Sequence, residues 1–336
     1  SGLNLTKDED VGRFAAAYGD AADWLWPMVS AMDPVEVMAW AEDLGQPVFT
    51  GSSGRVFPKA MKASPLLRAW LGRIEAELRL HWRWVGFEDD RLMFDTPEGR
   101  VAVKASVCVL ALGGASWARL GSDGAWAPWL EAKGVEVAPF KPANMGFVVD
   151  WSEHMAPFFG AALKNIALNG VRNEAVVSAR GLEGGGVYAV SSAVRDGADL
   201  VLDLLPGRDV KELERRLRAR PKKQTLSKAL TKLGLDDVKR ALVQEFGRPL
   251  PEDAGGLARL IKGLKVAHAG PRPMDEAIST AGGVTQAAVT PRLMLKALPG
   301  VFVAGEMLNW EAPTGGYLIS GRLATGKWAG DAAGLY

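Results

Sequence analysis

The sequence predicts an α/β protein: a three-layer sheet domain that the chain leaves and re-enters, with a second domain of different character between. Three observations predict it. VCVLAL at Val107–Leu112 is a continuous apolar run ending in Gly113-Gly114, the pattern of a strand buried on both faces of a parallel sheet. Val301–Ala304 is a second short apolar strand, ending in Gly305-Glu306 and followed by a Gly315-Gly316 helix start. Between the two, the composition changes from strand-and-turn to basic and helical, then back.

The chain's 336 residues are enough for two domains and a sizeable core. The formal net charge of +1 gives no overall pull toward nucleic acid or anionic lipid. Cys108 is the single cysteine, which excludes an intramolecular disulfide and suits a reducing, cytoplasmic setting. It reads as a core residue. No apolar stretch is long enough to span a bilayer, and no signal peptide is visible. The chain opens at Ser1 without a methionine, so it need not open at its natural start.

Along the chain, Asp33-Pro34 reads as an N-cap with proline at the first helical position, opening VEVMAWAEDLG, which stops at Gly45. Ser64-Pro65 is expected to open LLRAWLGRIEAE in the same way. LRLHWRWVGF and RLMFDT alternate as strands joined at Glu88-Asp89-Asp90. From about Val135 to Leu205 short strands, glycines and polar turns follow. From Gly207 to about Gly263 the pattern is helical, and between Gly207 and Arg248 thirteen Lys/Arg face six Asp/Glu. Strand-like segments return at Leu264–Val284.

Several chemistries find no support. His81, His154 and His268 are far apart with no metal-type spacing. There is no G-x-S-x-G, and one cysteine is no sign of thiol catalysis. The basic segment could hold phosphate or RNA, but few aromatics interleave with its charges, so a solvated helical face is favoured and nucleic acid is not expected.

Glycine-rich loops are more informative. A dinucleotide fingerprint is G-x-G-x-x-G/A between strand and helix, with an acid about 20 residues on. Gly184-Gly185-Gly186-Val187-Tyr188-Ala189, with Asp203 beyond, fits on paper. Against it stand three β-branched residues and two serines in its helix, and Glu183 beside the expected pyrophosphate. Gly113-Gly114 and Gly305–Leu318 are better placed, because ligands in open α/β sheets sit beyond the carboxyl ends of strands. The helix start at Thr314–Leu318 presents free N–H groups and a positive dipole end. That suits phosphate or the anionic edge of a reduced flavin. Glu306, with no basic neighbour in sequence, suits a ribityl or ribose hydroxyl. Taken only as turns, the same glycines would carry no function.

LALGGASWARLGSDG, FVAGEMLNWEAPTGGYL, RPMDEAISTAGGV, SGLNLT at Ser1–Thr6 and GRVFPKAMKASPLL at Gly54–Leu67 occur in the order and spacing of a bacterial flavoprotein family. Across essentially its whole length the chain resembles the BaiN-like NAD(P)/FAD-dependent oxidoreductases, two-dinucleotide-binding-domain flavoproteins. The resemblance implies an FAD-binding Rossmann-like domain from residues 1–136 and 297–336. An inserted β-barrel-like substrate domain would occupy 137–206 and 264–296, itself interrupted by a small helical insert at 207–263. It implies Asn4 and Thr6 near the pyrophosphate or ribityl region and Trp84 on adenine through its backbone. Gly113 and Gly114 would flank the nucleotide, Gly305 and Glu306 would hold the ribityl chain, and Gly315, Gly316, Tyr317 and Leu318 would set backbone N–H groups on the flavin ring.

The family pattern begins with a strand, a G-x-G-x-x-G loop, a helix and a second strand of ~30 residues or more. Here SGLNLT stands just downstream of where that unit should end. A truncated frame, a processed fragment, or a unit supplied by a second chain would each account for this. The expected activity is redox of a small organic substrate at FAD, with NAD(P)H as a possible electron donor. Arg55, Asn309 and Trp310 are candidates to line the substrate side. Arg55 reads equally as a structural ion-pair residue. Tyr188, Tyr317 and His268 are further proton-donor candidates. Trp117 and Trp310 adjoin the nucleotide motifs, while most of the twelve tryptophans read as packing. The alternatives are a non-catalytic remnant and a binding module using the basic helical insert.

Overall fold

The computed structural model describes residues 2–221 and 223–336, so Ser1 of the SGLNLT motif lies outside the described residues. The chain forms two compact units. Unit 1 runs from the N-terminus to Lys141 and resumes at Ser279–Tyr336, and unit 2 is Pro142–Ile278.

Unit 1 opens with helices. Asp33 Oδ1 accepts from the Glu36 backbone N–H at 2.9 Å, and Pro34 begins Pro34–Asp43, as its sequence predicts. The next helix differs from expectation. It starts at Ala63, one residue before Ser64, with Lys62 at the cap position and no side-chain cap bond. Proline at Pro65 tolerates the first turn because its missing N–H would be unpaired there anyway. Arg83–Glu88, Arg91–Thr96 and Gly99–Val103 form an antiparallel meander whose first turn holds Asp89 at φ 51°.

The strand Cys108–Leu110 pairs in parallel with Val301–Val303, Cys108 opposite Val301 and Leu110 opposite Val303. Burial on both faces holds only in part. Leu110 is buried, Cys108 is half-buried with its thiol pushed up by burial, and Val109 is 40% exposed. Among the described residues Cys108–Leu110 has Val301–Val303 as its one sheet neighbour.

The return to unit 1 comes earlier than the sequence reading places it. Ser279–Val284 is buried at every position and pairs with Val137–Ala143, and Val289, Leu293 and Leu295 join the same apolar core as Phe302 and Leu308. Residues 279–296 therefore belong with unit 1 rather than with the middle segment. Their small, weakly patterned side chains (STAGGV) give no sequence signal for this. The signal lies in close approach, since a Cβ on Gly282 would fall 2.3 Å from the Pro139 carbonyl oxygen.

Unit 2 has a six-stranded antiparallel sheet in the order Leu264–Val266, Leu200–Asp203, Ala162–Leu168, Val171–Ser178, Gly181–Glu183, Phe147–Val148. The segment that follows Leu264–Val266 reaches the opposite end strand: the Val148 N–H donates to the Gly270 carbonyl and the Ala269 N–H to the Val148 carbonyl. The segment 207–263 is four helices, Val210–Arg218, Leu226–Leu233, Asp237–Phe246 and Ala254–Lys262. Asp209, Thr225, Asp236 and Asp253 cap them in turn.

The Gly184–Ala189 loop does lead from strand Gly181–Glu183 into helix Gly185–Arg195. The sheet around it is antiparallel, Glu183 is ion-paired to Arg272 at 2.5 Å, and Asp203 to Lys262 at 2.5 Å. Gly186 serves packing, because a Cβ there would lie 2.5 Å from Leu168. The acid and the loop of the paper fingerprint are thus both committed to internal contacts.

Candidate functional site

The site is built in unit 1 from segments remote in sequence. Thr6–Lys7 pairs with Arg55–Pro58, which sets Lys7 opposite Arg55. The C-terminal helix Tyr317–Gly334 then lies against this strand. Gly316, at φ 119°, carries no Cβ for a direct reason: one would stand 2.3 Å from the Thr6 carbonyl carbon. Gly315, at φ 123°, faces Arg55, whose Nε would lie 3.3 Å from a Cβ there. The Arg55 side chain has no hydrogen bond or ion pair among the described residues. The Tyr317 and Leu318 N–H groups stand in the first turn without intrahelical acceptors. A free guanidinium and a helix N-terminus thus meet at the paired glycines.

Side chains fix this helix start. The Tyr317 hydroxyl donates to Glu9 at 2.6 Å and accepts from Lys7 Nζ at 2.9 Å, while Lys7 and Glu9 pair at 2.9 Å. Burial and the Glu9 bond push the Tyr317 hydroxyl above its ordinary value, against the pull of Lys7. Burial draws the Lys7 ammonium down, and its bonds to Tyr317 and Glu9 outweigh that and leave it raised. Tyr18 donates to the Tyr317 carbonyl at 2.7 Å, and burial pushes the Tyr18 hydroxyl strongly upward. Thr6 is fully buried, its Oγ1 accepting from Ser320 at 2.9 Å.

The second part gathers at Gly113-Gly114 and Glu306. Glu306 is 8% exposed, and its Oε1 accepts from the Thr280 N–H at 3.0 Å and pairs with Arg322 at 2.8 Å. The basic neighbour absent from the local sequence is therefore supplied by the C-terminal helix. Thr280 Oγ1 in turn accepts from the Ala115 N–H at 2.8 Å, and a Cβ on Gly114 would lie 2.4 Å from that oxygen. Gly113, at φ 76°, gives its carbonyl to Trp126 Nε1 at 2.9 Å. Gly305 is fully engaged internally, its N–H bonded to Thr325 and its carbonyl to Trp310 Nε1. Trp310 sits 4% exposed against Tyr18, in the core. Asn309 is held by its backbone N–H on Val284 at 2.8 Å.

A third part is a cleft of about 520 Å³ lined by Trp84, Trp126, Trp129, His81 and Leu112. Trp84 meets Trp129 edge-on at 5.1 Å. Tyr188 and His268 lie in unit 2, and burial lowers the His268 imidazole.

Sequence reasoning missed Thr280, Arg322, Tyr18, Lys7 and Glu9. Thr280 lies inside the RPMDEAISTAGGV motif, which was the available signal; the others had none, since their roles arise from contacts between distant segments.

The residues fit a dinucleotide with a flavin. Asn4 Oδ1, Trp84 Nε1, Ser116 Oγ, Ser122 Oγ and Arg322 Nε are buried polar atoms without a partner, and all belong to unit 1. Buried polar groups are nearly always satisfied, so these atoms, carried on the same unit as the glycine turns and the aromatic cleft, match a ligand rich in hydroxyls, phosphates and planar rings. No group of side chains suited to a metal ion occurs among the described residues. No helix among them is long and apolar enough to cross a membrane.

Over its full length the fold is similar to the open conformation of a flavocytochrome c3 fumarate reductase, with TM-score 0.51 and 16% identity, covering 99% of this chain and 70% of that one. A Mycobacterium smegmatis Sdh1 in complex with UQ1 matches with TM-score 0.46 and 16% identity, and E. coli quinol fumarate reductase FrdA with 0.48 and 16%. The chain covers 62% of each of these two structures, while they cover 100% and 99% of it. The model of the HI0933-like protein Rossmann domain matches residues 1–332. The chain belongs to this HI0933-like Rossmann family of FAD-dependent oxidoreductases.

Proposed function

We propose that the chain is the flavin-holding body of an FAD-dependent oxidoreductase acting on a small organic substrate. The observation that carries this is the meeting, within one compact unit, of a glycine-opened helix start, an unpaired Arg55 and a set of buried polar atoms without partners. Bound FAD supplies reversible electron transfer at its ring system. The residues of the chain bind and orient it. N–H groups at Tyr317 and Leu318 and the positive helix end favour negative charge on the ring, and Arg55 adds a cation on the same side. Glu306 keeps Oε1 on Arg322 and Thr280, which leaves Oε2 to accept from a ribityl or ribose hydroxyl. The tryptophan-lined cleft suits a planar base.

The exposed Val109 and the single neighbour of Cys108–Leu110 support a further strand on that edge. The reading assigns it to a glycine-loop unit that binds the pyrophosphate, carried by additional residues or by a second chain. NAD(P)H is the proposed electron donor.

The test is FAD content. The protein is purified alone and together with a supplied strand–loop–helix–strand unit, heat-denatured, and released FAD is quantified against protein. Near-stoichiometric FAD in either preparation supports the reading, and FAD only in the second supports the supplied unit as well. FAD in neither overturns it in favour of a non-catalytic remnant or binding module. Anaerobic titration of the loaded protein with NADH and NADPH tests the donor, and failure of both to bleach the flavin removes it.

A further inference from the structure

Unit 2 contains a cleft of about 850 Å³ that the proposed flavin chemistry does not use. Four cations line it, Lys164, Arg172, Arg208 and Lys239, against two acids, Glu174 and Asp236. Its floor is unusual. Lys239 is 4% exposed, yet its Nζ contacts only two backbone carbonyls, Asn165 at 3.2 Å and Leu204 at 3.1 Å. No carboxylate lies within ion-pair distance of it among the described residues. An ammonium carries three donors, so one remains. A buried cation without a direct ion-pair partner is costly, and burial draws this ammonium down against the opposing pull of Asp236 and Asp203.

One of these cations, Lys164, is brought there by a local device. The ladder between Ala162–Leu168 and Val171–Ser178 pairs Leu163 with Ala175 and then Ile166 with Asn173, so Lys164 and Asn165 stand opposite Glu174 alone. This bulge, with Asn165 at φ 50°, places both residues on the cleft. The Lys164 side chain has no partner among the described residues. Arg172 spends one nitrogen on the Pro206 carbonyl at 2.8 Å, and Arg208 reaches Glu212 at 3.2 Å. Asp236 is occupied in capping its helix at the Lys239 N–H. The cleft therefore holds a surplus of two positive charges, one of them buried.

We infer that this cleft binds a small organic phosphate. Guanidinium forks match phosphate oxygens in pairs, and the Lys239 ammonium supplies the remaining donor from below. The volume falls in the range of small-molecule sites, and Ile166, Leu205 and Pro206 offer apolar wall for the organic part.

The probe is inorganic pyrophosphate, titrated calorimetrically into the whole protein at low ionic strength, with inorganic phosphate and malonate in parallel. The expected result is saturable pyrophosphate binding, weaker phosphate binding and no malonate binding. Lys164→Ala/Arg172→Ala changes two exposed positions and leaves the core intact, and should weaken pyrophosphate about tenfold or more. Added pyrophosphate should slow amide exchange at residues 163–174 and 204–208. Lys239→Met should abolish binding with retained far-UV dichroism; should it fail to fold, the double variant and the exchange map still decide. Pyrophosphate binding unchanged by the double variant, or protection confined to unit 1, overturns the proposal. Malonate binding as tight as pyrophosphate overturns the phosphate assignment.

Discussion

Glu306 and Arg322 meet at 2.8 Å, the acid just after the Val301–Val303 strand and the guanidinium in the second turn of the C-terminal helix. This pair ties the sheet end to the helix that opens at the paired glycines. It also holds one carboxylate oxygen and leaves the other without a hydrogen bond among the described residues.

Removing one member should therefore cost more than removing both. Arg322→Ala leaves a buried carboxylate with only the Thr280 N–H, and we expect a loss of about 2 kcal/mol, below the full cost of a buried pair because Arg322 is partly exposed. Adding Glu306→Gln should recover much of it. A urea-denaturation double-mutant cycle measures the coupling; additive losses would show that the pair contributes nothing.

Glycines should sort by geometry. Gly316→Ala forces a Cβ onto the Thr6 backbone at a positive φ, and should lower stability by about 3 kcal/mol or more. Gly326 lies inside the same helix, and a Cβ added there would meet nothing within 4 Å. Gly326→Ala should raise stability by about 0.5–1 kcal/mol. Thermal unfolding of the two variants, one falling and one rising, checks the contrast.

Arg55→Ala should separate binding from stability. Arg55 makes no ion pair among the described residues, so unfolding free energy should move by less than about 0.5 kcal/mol. FAD binding should weaken about tenfold, as for loss of one charge-assisted contact. Fluorescence titration of FAD reads the second effect, and an unchanged affinity would place Arg55 outside the site.

The Lys7–Glu9–Tyr317 cluster predicts alkaline sensitivity. Tyr317 and Lys7 are both raised above their ordinary values of 10.0 and 10.5. Each therefore keeps its proton longer in the folded than in the unfolded chain. Their contribution is intact below about pH 10 and is lost as pH rises through the folded values. Tyr317→Phe should show a shallower fall in Tm above pH 10 than the parent. Equal slopes would mean that the cluster does not couple to folding.

Much of the chain was legible locally. The Asp33-Pro34 helix, the hairpin around Asp89 and the helical character of 207–263 are written in caps, turn residues and apolar spacing, which act over a few residues. The Gly315-Gly316 helix start was legible for the same reason. Thr280, Arg322 and Lys7 were not, because nothing near them in sequence marks the partner each will meet. The Gly184–Ala189 loop shows the converse: local pattern suggested a fingerprint, and antiparallel pairing with the Glu183–Arg272 contact assigned those residues to packing.

The sequence by itself determined the family, the two-part character of the chain and the glycine turn that opens the C-terminal helix, since these depend on residue type and order. Only the tertiary structure decided where the chain re-enters unit 1 and which acid is paired. It alone brought a free arginine to the start of the C-terminal helix and a bulge to an unclaimed basic cleft. Those outcomes rest on contacts between segments far apart in the chain, and contact energies of that kind exist only once the chain has closed on itself.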